Sequence, residues 1–452
     1  MSLSFPKAFL DSLHGLPGYE EIGFVNAHQE NPPVSIRLNP LKGKDLYSSL
    51  PRVAWCNDGR YLNERPLFYN DPLWHAGAYY VQEASSMFIS HIWKSVISDS
   101  VPNPKWLDVC ASPGGKSTLL ASQLQGYGLL ISNEAISSRV GPLIENISKW
   151  GYANTIVTQN DPKSFARLPA YFDALLVDAP CSGSGLFRKD DDALKEWSLD
   201  NVKICHSRQQ RILFDVLPSL KNGGYLVYCT CSYSKDENEE ICDWLIDEMQ
   251  MEPIKVPIES QWGIVESHTS KGAFGYRFYP HLVKGEGFFA AVFRKPSGNF
   301  AGPKPTKNKL QFLLPKEYRP LLKWIGLEDG FEFMKYNDEI TLVPNWLSYE
   351  SGLLFENLNI RKFCLPLGKM VRNDLIPDHC LAMSYLLSDI VKKELNLEQA
   401  LNYLRRDEID SDTSHSGWVL LTYKNVGLGW AKYMDGRVNN YYPKSFRLHK
   451  RD

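Results

Sequence analysis

A glycine pair that follows a short apolar run could form an anion-binding turn. The run from Trp106 to Cys110 is typical of a buried strand, and Gly114 and Gly115 permit a tight turn after it. The leucines at 119–124 predict a helix with an apolar stripe. A strand-to-helix turn exposes backbone N–H groups that suit a carboxylate or a phosphate. If the glycine pair is considered by itself, an ordinary turn that binds no anion is the alternative interpretation.

Several polar side chains stand where other apolar runs end. These residues are Glu134, Asp161, Asp178, Cys181 and Cys231. In dinucleotide-binding folds an acidic residue about 20 positions past the glycine turn binds ribose hydroxyls, and Glu134 follows Cys110 by 24 positions. Ligands of parallel α/β sheets bind at the carboxyl ends of the strands, so these positions together predict a site for an adenosine-containing ligand.

Three segments carry a family resemblance. Asp108-Val-Cys-Ala-Ser-Pro-Gly-Gly-Lys116, Asp178-Ala-Pro-Cys-Ser-Gly-Ser-Gly185 and Thr230-Cys-Ser232 resemble the Sun (Fmu) family of S-adenosylmethionine-dependent RNA 5-methylcytosine methyltransferases. The glycine loop departs from the family pattern with Ser112 in place of alanine and Ser117 in place of threonine. The loop lacks Gly-x-Gly-x-x-Gly spacing, which makes a dinucleotide enzyme the minor alternative.

The resemblance implies a cofactor, S-adenosylmethionine, and a set of residues that bind it. That set is Cys110, Ala111, Ser112, Pro113, Gly114, Gly115, Lys116, Glu134, Asp161 and Asp178. For two members the sequence leaves another role open. Asp161 precedes Pro162 and could cap the next helix, whereas Lys116 could contact the methionine carboxylate or be solvated.

The resemblance also implies roles for two cysteines. C5 of cytosine is a poor nucleophile, and a thiolate that adds to C6 activates it for methylation. In the family the cysteine of Thr-Cys-Ser attacks the base and the cysteine of Pro-Cys-Ser helps the product leave, so Cys231 is the expected nucleophile and Cys181 the expected release residue. An isolated cysteine is more often a small buried apolar residue, which is our interpretation of most other cysteines in the chain.

Composition limits the class of protein. The chain has 452 residues, 43% of them hydrophobic, so it can form sizeable cores and more than one domain. Nine irregularly spaced cysteines, no apolar signal segment and no long apolar run predict a soluble cytoplasmic protein with reduced thiols. No metal is expected, because Cys229-x-Cys231 lacks zinc-ligand spacing and has no second ligand pair.

The pattern of apolar runs predicts the domain organisation. We expect an N-terminal substrate-contacting α+β domain at 1–104, a methyltransferase core at 105–295, a Pro/Gly/Lys-rich linker at 296–309 and a C-terminal RNA-binding region at 310–452. In the core, alternating apolar runs and helical segments favour a doubly wound, Rossmann-like parallel sheet. The order of elements in the C-terminal region and its basic ending resemble a PUA-like appendage.

The expected partner is RNA. The last forty residues hold seven Lys or Arg against two Asp or Glu, which fits contact with a polyanion or merely a solvated face. Size and the C-terminal appendage resemble bacterial enzymes that modify 16S rRNA in the small ribosomal subunit, whereas a tRNA target and a non-catalytic ribosome-assembly factor are the alternatives. Arg188, Arg208 and Arg211 could line an RNA channel or be surface charges. The motif Asp-Ala-Pro-Cys disfavours an amino-group methyltransferase.

Overall fold

The structure, a computed structural model, describes residues 5–43, 45–298, 302–304, 310–326, 329–336, 338–372, 374–409, 416–435 and 437–449. The predicted linker at 296–309 falls largely outside the described residues.

The N-terminal region combines short helices with a small antiparallel sheet of order β2-β3-β1-β4. Its elements are α1 Lys7–Leu13, α2 Glu21–Gln29, β1 Val34–Leu38, β2 Arg52–Val53, β3 Cys56–Leu62, α3 Pro72–His75, β4 Tyr79–Val81 and α4 Phe88–Ile92. The first two helices are separated by a segment in which Gly15 and Gly18 both have positive φ, a conformation that favours glycine.

The middle of the chain forms the large sheet that positions the candidate site. Its elements are β5 Lys105–Asp108, α5 Gly115–Leu124, β6 Leu129–Asn133, α6 Ser137–Trp150, β7 Thr155–Thr158, β8 Phe172–Asp178, α7 Asp191–Glu196, α8 Leu199–Val216, β9 Leu220–Thr230, α9 Glu239–Asp247, β10 Glu252–Ile254, β11 Val265–His268, β12 Phe274–Phe278 and β13 Phe288–Arg294.

Five parallel strands make up the centre of this sheet, in the order β9-β8-β5-β6-β7. Helices cover both faces, so a central strand such as β6 is buried along its whole length. Because the five strands are parallel, their carboxyl ends meet at one edge of the sheet. The polar residues that follow β5, β6, β7, β8 and β9 therefore converge at that edge.

The C-terminal region contains two further sheets, of order β14-β15-β16-β18-β19 and β20-β21-β22-β23. Its elements are β14 Gln311–Phe312, α10 Pro315–Tyr318, β15 Phe331–Tyr336, β16 Glu339–Pro344, α11 Asn345–Asn357, β17 Ile360–Phe363, β18 Leu365–Val371, β19 Asp374–Pro377, α12 His379–Met383, β20 Lys392–Glu394, α13 Leu397–Arg405, β21 Gly417–Tyr423, β22 Val426–Met434 and β23 Arg437–Asn440.

Two contacts join the C-terminal region to the rest of the chain. β17 pairs antiparallel with β7 and extends the large sheet by one strand, with Ile360 opposite Thr158. Leu38 and Leu73 of the N-terminal region share one hydrophobic core with Tyr403 and Leu421 of the C-terminal region. The C-terminal region is therefore packed against both preceding regions. The domain limits expected from the sequence stay a prediction.

Candidate active site

The turn between β5 and α5 is shaped by two glycines. Gly114 has a φ of +114°, in the left-handed region that favours glycine. A Cβ atom on Gly115 would lie 3.2 Å from Cε1 of Tyr80, so a side chain there would crowd the turn. Among the described residues no side chain caps the start of α5. The first backbone N–H groups of this helix are therefore available to an anion.

The rest of the glycine loop is held against α6. The Ser112 hydroxyl donates to the backbone oxygen of Arg139 at 2.8 Å, and the Arg139 guanidinium donates to the backbone oxygen of Ser112 at 2.9 Å. The Asn146 amide donates to the backbone oxygen of Pro113 at 2.9 Å. The Ala111 N–H donates to the backbone oxygen of Asn133 at the end of β6. These bonds give the loop a fixed shape beside the carboxyl end of the sheet.

Two acidic residues follow β6 and β7. Glu134 is 4% exposed, and its carboxylate accepts a hydrogen bond from the Ile136 N–H at 2.9 Å. A buried carboxylate at this position is suited to ribose hydroxyls. Asp161 is exposed and accepts from the Lys163 N–H at 3.1 Å, so it caps the short 3-10 helix Pro162–Arg167. The helix-capping role that the sequence left open for Asp161 is therefore observed.

Lys116 and Asp178 form an ion pair between the glycine loop and the end of β8. Nζ of Lys116 lies 2.7 Å from Oδ2 of Asp178, with the two side chains 16% and 33% exposed. Burial is the largest single influence and lowers the pKa of Lys116, but the charge and hydrogen bond of Asp178, together with the sulfurs of Cys229 and Cys231, raise that pKa above its usual range. The amine stays charged, and it is paired instead of being solvated. The other oxygen of Asp178 is 3.6 Å from Sγ of Cys229.

The two cysteines of the predicted catalytic pair lie next to each other. Sγ of Cys181 is 3.0 Å from Sγ of Cys231, and both residues are partly exposed. They follow β8 and β9, which are neighbouring parallel strands, so the sheet itself brings them together. The hydrogen bond to Cys231 and burial raise the pKa of the Cys181 thiol well above its usual range. Cys181 therefore holds a proton beside the sulfur of Cys231.

Glu237 accepts hydrogen bonds from both cysteine-containing segments. The sequence predictions did not include this residue. It is fully buried, and its carboxylate accepts from both the N–H and the hydroxyl of Ser182, at 2.8 and 2.5 Å. The same carboxylate accepts from the hydroxyl of Ser232 at 2.6 Å. Ser182 directly follows Cys181 and Ser232 directly follows Cys231. One carboxylate thus sets the separation of the two thiols.

Comparison with known families matches three parts of the chain. Residues 96–294 match the family described as 16S rRNA methyltransferase RsmB/F. Residues 5–84 match the N-terminal domain of 16S rRNA methyltransferase RsmF, and residues 391–448 match the methyltransferase RsmF PUA domain.

A curated relative extends the match over nearly the whole chain. The ribosomal RNA small subunit methyltransferase F of Psychromonas ingrahamii is 31% identical over 474 aligned positions, which cover 97% of this chain and 96% of the relative. The chain belongs to the RsmB/F family. This family consists of S-adenosylmethionine-dependent RNA methyltransferases. The family resemblance and the fold class with its PUA-like appendage are confirmed.

Solved structures agree on the fold. A methyltransferase homologue from Pyrococcus horikoshii is 30% identical, with a TM-score of 0.54 over 65% of this chain and 96% of the homologue. NSun6 from the same organism, solved with SFG, has a TM-score of 0.54 over 66% of this chain and all of its own, at 21% identity. The core of this RsmB/F family member therefore has the fold of solved methyltransferases.

Arg37 connects the N-terminal region to the glycine loop of this family member. Its side chain is almost fully buried, and Nη2 donates to Oγ1 of Thr118 at 2.6 Å and to the backbone oxygen of Gly115 at 3.2 Å. Nε donates to Oε1 of Gln82 at 2.7 Å, and the guanidinium lies 4.5 Å from the ring of Trp150. The sequence did not indicate that Arg37 supports the start of α5.

The surface-charge alternative for Arg188 is wrong. Its side chain is 5% exposed and pairs with the buried carboxylate of Glu286 at 2.8 Å, so it is not a solvated charge, and the channel role stays a prediction. Its guanidinium also donates to the backbone oxygen of Ala27. Arg208 and Arg211 are exposed on α8, which fits both of the alternatives stated for them.

No group of three or more His, Cys, Asp or Glu side chains among the described residues is arranged to hold a metal ion. None of the described helices has the length and apolar character needed to cross a membrane.

Proposed function

We propose that this protein transfers a methyl group from S-adenosylmethionine to C5 of a cytosine in 16S rRNA, in the cytoplasm. One observation carries the proposal: two partly exposed thiols lie 3.0 Å apart at the edge of the sheet where the glycine loop also lies. The small subunit rRNA is proposed as substrate because the relatives that match over the whole chain are small subunit methyltransferases.

The residues present fit the proposed cofactor. The uncapped start of α5 suits the methionine carboxylate, and the buried Glu134 carboxylate suits the ribose hydroxyls. We assign the backbone of residues 110–116, together with Asp161 and Asp178, to the same binding site. When bound, S-adenosylmethionine supplies a methyl group on a positively charged sulfur. The Lys116–Asp178 pair borders this site, and it can orient polar groups of the cofactor or of the target base.

Cys231 is proposed to activate the base. Its thiolate adds to C6 of the cytosine, and the electron pair displaced from the C5–C6 double bond makes C5 a nucleophile. C5 takes up the methyl group, neutral S-adenosylhomocysteine is left in the cofactor site, and a base or a water molecule at the site accepts the C5 proton. The resulting electron pair re-forms the double bond and expels the thiolate of Cys231. Each turnover thus forms one carbon–sulfur bond and breaks it again.

Cys181 is proposed to assist the release step. Its thiol keeps a proton, because a hydrogen bond to Cys231 and burial raise its pKa. A neutral thiol at 3.0 Å can stabilise the departing Cys231 thiolate by donating a hydrogen bond to it. Glu237 is a positioning residue, since it contacts the serines next to both cysteines.

The target cytosine must be unpaired or turned out of its stack to reach Cys231. RNA bases are recognised mainly where they are unpaired, and phosphate contacts supply salt-dependent affinity. Basic residues of the PUA-like region are proposed to supply phosphate contacts. Exposed examples are Lys424, Arg437, Lys444 and Arg447.

Transfer of tritium from methyl-labelled S-adenosylmethionine tests the proposal. The full chain is incubated with 16S rRNA, with small subunits from cells lacking the enzyme, and with tRNA. We expect label in 16S rRNA or in the subunit, as 5-methylcytosine after nuclease digestion. Label in tRNA would show that the substrate is wrong, and cofactor binding without transfer to any RNA would support the non-catalytic assembly factor.

A further inference from the structure

A cavity of about 270 Å³ lies apart from the glycine loop, between the large sheet and the C-terminal region. Its walls come from α6, β16, β17, α12 and the segment that follows β23. The lining residues that matter here are Glu339, Thr341, Arg361, Asp378, His379 and Phe446. A volume of this order can enclose a single flat heterocycle.

His379 is a buried polar group without a partner. It is 7% exposed, and neither ring nitrogen has a hydrogen-bond partner within the described part of the chain. Burial lowers the pKa of His379 to about 3, so the ring is neutral and offers one N–H donor and one acceptor. Its ring packs edge-on against Tyr442 and Phe446, at centroid distances of 5.4 and 5.7 Å. Buried polar groups normally have a partner, which indicates that something binds here.

Carboxylates lie on the same cavity wall. Glu339 is 40% exposed at its side chain, and the nearest cation, Lys369, is 3.6 Å away. Oδ1 of Asp378 already accepts from the N–H of Cys380 at 2.7 Å. Lys369 engages only Oε1 of Glu339, at 3.6 Å and from an exposed position, so a ligand can displace this lysine and bind both carboxylate oxygens. Such a pair of oxygens matches two neighbouring N–H donors.

Arg361 lies in the cavity wall and also contacts the edge of the sheet that carries the candidate active site. It lies in β17 and donates to Oε1 of Gln159, just past the carboxyl end of β7, at 2.6 Å. The cavity wall therefore includes the same edge of the sheet as the two thiols. β17 and β9 are five strands apart in the sheet, or about 24 Å at the usual spacing. A short single strand of RNA can span that distance.

We propose that this cavity binds an unpaired guanine of the RNA substrate while the target cytosine occupies the site at Cys231. Guanine is favoured because its N1–H and N2–H₂ groups are adjacent donors that match the Glu339 carboxylate, whereas adenine, cytosine and uracil lack such a pair. His379 and Thr341 supply donors for guanine O6 or N7, and Phe446 contacts the ring. Arg361 contacts the attached phosphate. The assignment to RNA rests on the proposed function.

Titration of the full chain with nucleoside 5′-monophosphates tests the chemistry of the cavity. We expect guanosine monophosphate to bind more tightly than the adenosine, cytidine and uridine compounds, and Glu339→Gln to weaken its binding about tenfold. Glu332→Gln removes the same charge on the neighbouring strand, away from the cavity, and should bind like the wild type. Equal binding of all four nucleotides, or an unaffected Glu339→Gln variant, would overturn the proposal.

A methylation assay then shows whether the cavity binds a base of the RNA substrate or a free guanine nucleotide. Glu339→Gln should raise KM for RNA about tenfold, with kcat and the affinity for S-adenosylmethionine unchanged. Loss of nucleotide binding with an unchanged KM for RNA would mean that a free guanine nucleotide is the ligand, which overturns the RNA assignment. If the wild type binds guanosine monophosphate selectively but methylates no RNA, the proposed function fails and the cavity remains a guanine site.

Discussion

Sγ of Cys181 and Sγ of Cys231 lie 3.0 Å apart, although 50 residues separate them in the chain. Two features of the fold produce this contact. β8 and β9 are parallel neighbours whose carboxyl ends meet, and Glu237 holds the serine that follows each cysteine. The proposed chemistry depends on both features, because a nucleophile and its release partner must act on one base.

Glu237→Gln should impair catalysis more than it impairs binding. The amide keeps the shape but replaces one accepting oxygen with a donor, which leaves serine hydroxyls without their acceptor. Loss of bonds to a buried charged group should destabilise the protein by about 1–3 kcal/mol. We expect kcat for methyl transfer to fall at least tenfold while the affinity for S-adenosylmethionine changes little. Glu240→Gln, on the exposed side of α9, is the matched control and should behave as wild type.

Arg37→Lys should weaken cofactor binding from a position outside the methyltransferase core. A lysine cannot bond simultaneously to Gln82, Thr118 and the Gly115 backbone, so the start of α5 loses its support. We expect about tenfold weaker binding of S-adenosylmethionine by calorimetry and about 2 kcal/mol lower stability. Arg52→Lys, exposed on β2, is the control. Unchanged cofactor affinity in Arg37→Lys would show that the glycine loop is stable without this contact.

The buried carboxyl group of Asp108 should make the free energy of unfolding depend on pH. Burial raises its pKa from 3.8 to about 7, although the Ser117 hydroxyl donates to it at 2.6 Å. Between these two values the folded protein holds a proton that the unfolded chain has lost, so this group lowers stability as pH rises through that window. Asp108→Asn removes the effect and keeps an acceptor for Ser117.

Denaturant unfolding at two pH values measures this effect. The stability of Asp108→Asn relative to wild type should increase by about 2–3 kcal/mol between pH 5 and pH 8. The same substitution at the exposed Asp161 should show no such change. A difference between Asp108→Asn and wild type that is constant with pH, or that shrinks as pH rises, would contradict the assigned pKa.

Local pattern predicted the centre of the fold well. The apolar runs Leu129–Asn133 and Thr155–Thr158 can be recognised in the sequence between glycine- or asparagine-containing turns, and they coincide with β6 and β7. β9 is longer than the apolar run Tyr225–Cys229 that indicates it, since the strand begins at Leu220 and includes the polar Lys221 and Asn222. The two thiols were recognised by their flanking residues, and the parallel sheet explains why they meet.

Long-range partners could not be predicted in the same way. Ile360-Arg-Lys-Phe363 has too few apolar residues to indicate a strand, and it becomes one only by pairing with β7. Glu237 stands in an acidic run that is typical of a solvated helix start, yet it is buried because serines of two other segments reach it. The ion pair of Arg188 could not be predicted either, because its partner Glu286 lies 98 residues later in the chain.

Trapping of a covalent complex tests the central claim most directly. Each variant is incubated with RNA and S-adenosylmethionine and analysed by denaturing electrophoresis and intact mass. Cys181→Ala should accumulate protein bonded to methylated RNA, because release is slowed, whereas Cys231→Ala and the double variant should form no adduct and transfer no methyl group. An adduct that accumulates in Cys231→Ala would contradict the assignment of Cys231 as the nucleophile.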